Sequence, residues 1–179
     1  EIKAADIKEP FFFASHPKLQ ERIDSFKELV KDAGNGEVGR ERFVEMTTGL
    51  RLASLEADLA AYRYRQVILV LTDPEQRRDY PPEASYYLGE AYRLRDEKGD
   101  LEDAEREFNR AIETAPQFAP AHRALGLLYY KRGDTARAAQ LLRRYLERAP
   151  DATDRAYIEQ YLAQMETNAA RDKGLPSSP

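Results

Sequence analysis

LGEAYRLRDEKGDLEDAEREFNRAIETAP (residues 88–116) and LGLLYYKRGDTARAAQLLRRYLERAP (residues 125–150) carry the same landmarks in the same order. Leu88-Gly89-x-x-Tyr92 returns as Leu125-Gly126-x-x-Tyr129, Gly99-Asp100 as Gly133-Asp134, Ala104 and Phe108 as Ala138 and Leu142, and Pro116 as Pro150. From Gly99 onward the landmarks recur 34 residues apart, whereas the two Leu-Gly pairs are 37 apart. Three extra residues therefore sit between Tyr92 and Gly99, which are seven steps apart where Tyr129 and Gly133 are four. Self-similarity at such a period marks stacked supersecondary units, each unable to bury its apolar face alone. Within each copy, glycine lets one helix approach its partner closely and a small alanine on the second helix accepts that contact. Leu, Tyr and Phe fill the space between helices, Gly-Asp makes the turn, and the closing proline cannot continue a helix.

These residues resemble the tetratricopeptide (TPR) repeat, a helix-turn-helix unit, over two full copies spanning 82–152. The resemblance implies an all-α fold: a TPR-like α-solenoid of stacked helical hairpins with a C-terminal capping helix and an N-terminal helical arm. Ser85 and His122 stand where a large aromatic is common in the family, and Tyr145 where a small residue is usual, which implies local repacking.

The flanks extend the stack. Tyr157, Ile158, Tyr161, Leu162 and Met165 fall at helical spacing, with Asp154 or Thr153 as a cap, so 153–170 reads as the helix that covers the last repeat. The tail 171–179 has turn composition. Upstream, Leu52, Leu55 and Leu59 form one helical stripe, a break follows near Tyr62 to Tyr64, and then comes the apolar run 67–71. That run alone fits a buried strand or a buried helix. No partner strand is visible, so 37–81 reads as a linker and a degenerate hairpin that supplies a third stacking unit. Residues 1–36 hold one amphipathic helix from Pro17, with Leu19, Ile23, Phe26 and Leu29 or Val30 facing inward, stopped by Gly34-Asn35-Gly36.

Composition removes several functions. Lys and Arg number 28 against 32 Asp and Glu, a net charge of -4 that gives no reason to expect nucleic acid. There is no cysteine, which excludes disulfides, thiolate catalysis and Cys-held zinc. The apolar run 67–71 is far too short to span a bilayer. GNGEVG at 34–39 lacks the Lys-Ser/Thr and preceding strand of a phosphate loop. Arg143, Arg144 and Arg148 read as a solvated helix face. No residue can be named for catalysis.

EPFFFASHPKLQERI (residues 9–23) poses a separate question, with three phenylalanines beside one of only two histidines. His16 or Ser15 can simply cap the helix that Pro17 opens. The string also resembles the closing segment of M48-family zinc metallopeptidase domains, through Phe13, Ser15, His16, Pro17, Arg22 and Ile23. The resemblance implies that the chain starts where a protease domain ends and forms the TPR region following it, in the bacterial periplasm or envelope. Phe11, Phe12, Phe13, His16 and Arg22 would then contact that domain. Family members hold zinc through H-E-x-x-H on a helix plus a downstream glutamate. His16 and His122 lie too far apart in sequence to build that site, so no cofactor is expected in this chain and zinc only in the protease domain. Uncovered, the three phenylalanines would leave apolar surface in water at about 25 cal/mol per Å², which also suits a homodimer through this arm.

The expected function is a protein-interaction module that recruits or positions substrates or partner proteins for an M48-type metalloprotease. The alternative is a free-standing TPR scaffold or assembly factor of the envelope. In TPR stacks the first helix of each hairpin lines the concave surface, which implies a partner-binding groove of Tyr86, Glu90, Arg93, Arg123, Leu127, Tyr130 and Lys131. The two tyrosines can equally pack against neighbouring hairpins. Where some TPR domains use Lys and Asn to clamp a C-terminal carboxylate, this chain has Tyr86 and Glu90, so an internal polypeptide segment is the expected ligand.

Overall fold

The computed structural model describes residues 23–25, 27, 28, 31 and 39–172. The chain divides into two units, 1–40 and 41–179. In the first, residues 23–25, 27 and 28 are helical, and Lys27–Asp24 and Lys31–Glu28 pair along the helix surface. Ile23, expected to face inward, is 37% exposed. The inward positions Leu19, Phe26, Leu29 and Val30 lie outside the described residues.

The second unit is an all-α stack of hairpins, with no strand among the described residues. Its helices are α1 (Arg40–Ala60), α2 (Tyr64–Thr72), α3 (Pro74–Arg77), α4 (Ala84–Arg95), α5 (Asp100–Thr114), α6 (Ala119–Lys131), α7 (Thr135–Arg148) and α8 (Arg155–Asp172). Helices α4 and α5 form one hairpin and α6 and α7 the next; α2 packs on α4, α5 on α6 and α8 on α7. The apolar run 67–71 is thus helical, and Val67 and Leu71 face the core while Leu69 faces solvent. The break after α1 is real: Tyr62 adopts the left-handed conformation at φ 60.

Two apolar clusters hold the stack. Leu55 of α1 meets Val67 and Leu71 of α2 and Ala84, Leu88 and Ala91 of α4. The larger cluster runs from Ala104 and Phe108 through Leu125, Leu128 and Tyr129 to Leu142, Ile158, Leu162 and Met165. Tyr92 packs against both, so the hairpins share one seam.

The repeat landmarks act as the sequence requires, with one change of partner. A Cβ on Gly89 would lie 2.6 Å from the Phe108 ring, and one on Gly126 would lie 2.9 Å from Leu142. The close approach is therefore to the bulky residue of the second helix, with Ala104 and Ala138 buried one turn away. Gly99 and Gly133 turn the chain at φ +91 and +81, a conformation that costs an L side chain strain. The three extra residues divide as follows. After Tyr92, residues 93–95 stay helical and 96–98 form the turn; after Tyr129, residues 130 and 131 stay helical and only Arg132 lies in the turn. The wider turn is held by Asp100, which accepts from Arg95 Nε and Nη2 at 2.8 and 2.6 Å and from the Glu97 N–H at 2.9 Å. In the second copy Asp134 instead caps α7 through the Arg137 N–H.

Each departure from the repeat pattern has a partner. Buried Ser85 receives a hydrogen bond from Arg77 Nη2 at 2.8 Å. Buried His122 has its Nε2 3.0 Å from the Pro116 carbonyl oxygen. Tyr145 is buried, with its hydroxyl on Asp154. Asp154, expected as a possible cap for α8, spends its carboxylate on Tyr145 and Arg123.

Candidate functional site

Helices α4 and α6 lie side by side as the first helices of the two hairpins. Tyr86, Glu90 and Arg93 occupy positions i, i+4 and i+7 of α4, and Arg123, Leu127 and Lys131 occupy i, i+4 and i+8 of α6, so each trio forms one stripe. The two stripes face each other across a groove of about 350 Å³, completed by Asp96, Leu101, Ala124 and Leu128. Tyr86 forms one end, held by Phe118 and Tyr87 at ring-centroid distances of 5.4 and 5.1 Å. A second concavity of about 450 Å³ adjoins it towards α1, lined by Glu56 and Leu59 and sharing Tyr86 and Glu90 with the first.

Tyr130 is absent from that lining. Its ring packs on Tyr161 of α8 at 4.7 Å and its hydroxyl donates to Gln164 Oε1 at 3.2 Å. A helical wheel could not separate these outcomes, because Tyr130 and Leu127 are neighbours on one face.

Charge in the groove is more nearly balanced than the residue types suggest. Glu90 and Arg93 form a two-point pair at 2.9 and 2.7 Å. Arg123 Nε donates to Asp154 Oδ2 at 2.5 Å. Among the described residues Lys131 has no acidic partner, so it is the groove cation left for a ligand. Burial pushes the Tyr86 phenol well above its ordinary pKa, with Glu90 adding to the effect, so the ring stays neutral. Asp154 was not legible as part of this set, since it lies 31 residues from Arg123 in sequence.

Paired helices, glycines at the contacts and a groove along the first helices identify the architecture. Residues 93–153 match the tetratricopeptide repeat. The match begins inside α4 and ends before α8. Gly89, just ahead of it, packs against the second helix of its hairpin as Gly126 does in the second repeat. No curated protein matches the chain. Among the described residues, no group of three or more His, Cys, Asp or Glu is placed to hold a metal ion, and no helix is long and apolar enough to cross a membrane. Phe11, Phe12, Phe13, His16 and Arg22, the expected interdomain contacts, lie outside the described residues.

Proposed function

We propose that this chain is a protein-interaction module that holds an extended internal segment of another polypeptide along the groove of the repeats. A tetratricopeptide repeat suggests a protein partner. The observation that carries the finer reading is the pair of adjoining concavities sharing Tyr86 and Glu90, which makes a long trough and not a closed pocket. Leu127 and Leu128 offer apolar contact, Tyr86 offers an amphipathic ring, and Lys131 orients an acidic or carbonyl group.

The same proposal places the module after the catalytic domain of an M48-type zinc metalloprotease in the bacterial periplasm or envelope, where it recruits or positions substrates. The His16-Pro17 segment with Phe13, Arg22 and Ile23 supports this reading, as does its position ahead of a repeat region. Phe11, Phe12 and Phe13 would contact the protease domain, or a second copy of the chain, and zinc would belong to the protease domain alone. The free-standing envelope scaffold is the second reading; an H-E-x-x-H codon run upstream of Glu1 in the gene decides between the two.

For the groove, a photo-crosslinking residue at Leu127 should capture a polypeptide that is then identified and titrated as a synthetic segment. The variant Tyr86→Ala with Lys131→Glu should weaken that titration at least about tenfold with the helix content unchanged. Unchanged affinity would remove the groove from the binding surface.

A further inference from the structure

A second cleft lies on the other side of α4. At about 100° per residue, Leu88 and Tyr92 point roughly half a turn away from Tyr86, Glu90 and Arg93. They floor a cleft of about 510 Å³ between α2 with α3 on one side and α5 on the other. Here the 9-residue α2 gives way to the short α3, where the later hairpins have single helices of 15 and 14 residues. Its charged rim is Arg77, Arg78, Arg106, Arg110 and Glu107.

The pairing on that rim is lopsided. Arg78 pairs with Glu75 and Arg106 with Asp103, both at the surface. Among the described residues Arg77 donates to neutral oxygens alone, Ser85 Oγ at 2.8 Å and the Pro81 carbonyl at 3.3 Å. Arg110 is exposed and has no acidic partner among the described residues. Burial and the charge of Arg110 hold the Arg77 guanidinium below its usual pKa, with Glu107 opposing them only in part, which marks two cations near each other that one glutamate does not balance. Glu107 Oε2 is buried with no hydrogen-bond donor among the described residues. The cleft thus carries more positive charge than Glu107 balances and, beside it, a carboxylate oxygen that lacks an N–H or O–H donor. A simple anion answers only the first; a polypeptide carrying a carboxylate side chain answers both.

We propose that this cleft docks an acidic polypeptide segment: its carboxylate between Arg77 and Arg110, a backbone N–H on Glu107, and an adjoining apolar side chain over Leu71, Leu88 and Tyr92. The repeat region then has two binding faces, and this one is independent of the groove on the opposite side of α4. A partner can be held at one face while another is presented along the other.

The probe is a fluorescein-labelled octapeptide of alternating glutamate and leucine, titrated with the intact chain by fluorescence polarisation. Arg110→Gln should weaken binding about fivefold and Arg77→Gln with Arg110→Gln about tenfold or more, with the same helix content. Arg110→Gln alone keeps the test valid if the double variant unfolds, since Arg110 is exposed. Arg143→Gln, on the solvated face of α7 and outside both concavities, should change nothing. Equal affinity of the double variant and the unaltered chain, or equal binding of an alternating glutamine and leucine peptide, would overturn the proposal. So would loss of binding in Arg143→Gln. If inorganic pyrophosphate or oligothymidylate binds with this arginine dependence and the peptide does not, the cleft serves another anion and the polypeptide assignment is wrong.

Discussion

Tyr145 donates its hydroxyl hydrogen to Asp154 Oδ1 across 2.5 Å, while Arg123 Nε lies as close to the other carboxylate oxygen. One aspartate in the loop before α8 thereby joins α6 and α7, behind the groove that Arg123 lines. Burial opposes ionisation of Asp154, but Tyr145 and Arg123 outweigh it and hold its pKa below the aspartate range. Burial and the neighbouring carboxylate push the Tyr145 phenol up to about 12.

Tyr145→Phe should therefore cost about 1–2 kcal/mol in urea unfolding at pH 7, and Asp154→Asn at least as much because it disturbs two partners. The folded pKa of Asp154 is depressed, so its contribution is present above the unfolded value near 4 and is lost as pH falls through the folded one. The gap between wild type and Asp154→Asn should narrow from pH 7 to pH 3. A gap independent of pH would show that the carboxylate charge plays no part.

Gly89 and Gly126 occupy equivalent positions but should not tolerate alanine equally. A Cβ at 89 meets two carbons of the flat, fully buried Phe108 ring at 2.6 Å, and the ring has no free rotation with which to yield. At 126 the nearest atoms are the Cγ and Cδ2 of Leu142 at 2.9 Å, a branched end that can shift slightly. Overpacking costs about 1–3 kcal/mol and the gain in helix propensity returns about 1. Gly89→Ala should lose about 1–2 kcal/mol net and Gly126→Ala clearly less, read from urea midpoints. The reverse order would mean that α4 and α5 can separate more easily than α6 and α7.

Where interactions are local or periodic, the residues announced the structure. Leu-Gly-x-x-Tyr, Gly-Asp and the closing prolines placed both hairpins, and the seven-step against four-step spacing located the wider turn at residues 96–98. The groove residues were implied by the resemblance to the repeat, whose first helices line the concave surface. What the sequence hid depends on distance across the stack. Arg123 shows no partner in the sequence until the fold brings Asp154, 31 residues on, against it. Tyr130 read as a groove residue because only the position of α8 decides that its ring packs on Tyr161. The arginine cleft had no signature at all, since it joins residues from four helices.

The last prediction concerns His122, which is 1% exposed on α6. Its Nε2 lies 3.0 Å from the Pro116 carbonyl, so the neutral ring carries its hydrogen there. Nδ1 is buried without a partner among the described residues. Protonation would put a second N–H on that nitrogen with nothing to accept it, in a site that Arg148 and Arg144 already make positive. Burial, opposed by the Pro116 hydrogen bond and aided by those two arginines, lowers the pKa. The unfolded chain therefore binds the proton more readily than the folded one. Stability from this source is complete above the unfolded value near 6.5 and falls as the pH drops below it, with a slope of at most about 1.4 kcal/mol per pH unit. His122→Phe removes the titration while keeping an aromatic ring, and Arg148 Nε, 2.7 Å from the Pro116 oxygen, still satisfies that carbonyl. Urea midpoints taken at pH 7.5, 6 and 5 should decline more steeply in wild type than in His122→Phe, whatever the variant's absolute stability. Parallel declines would mean that His122 finds an acceptor for its second proton and that the acid sensitivity of the fold comes from its carboxylates.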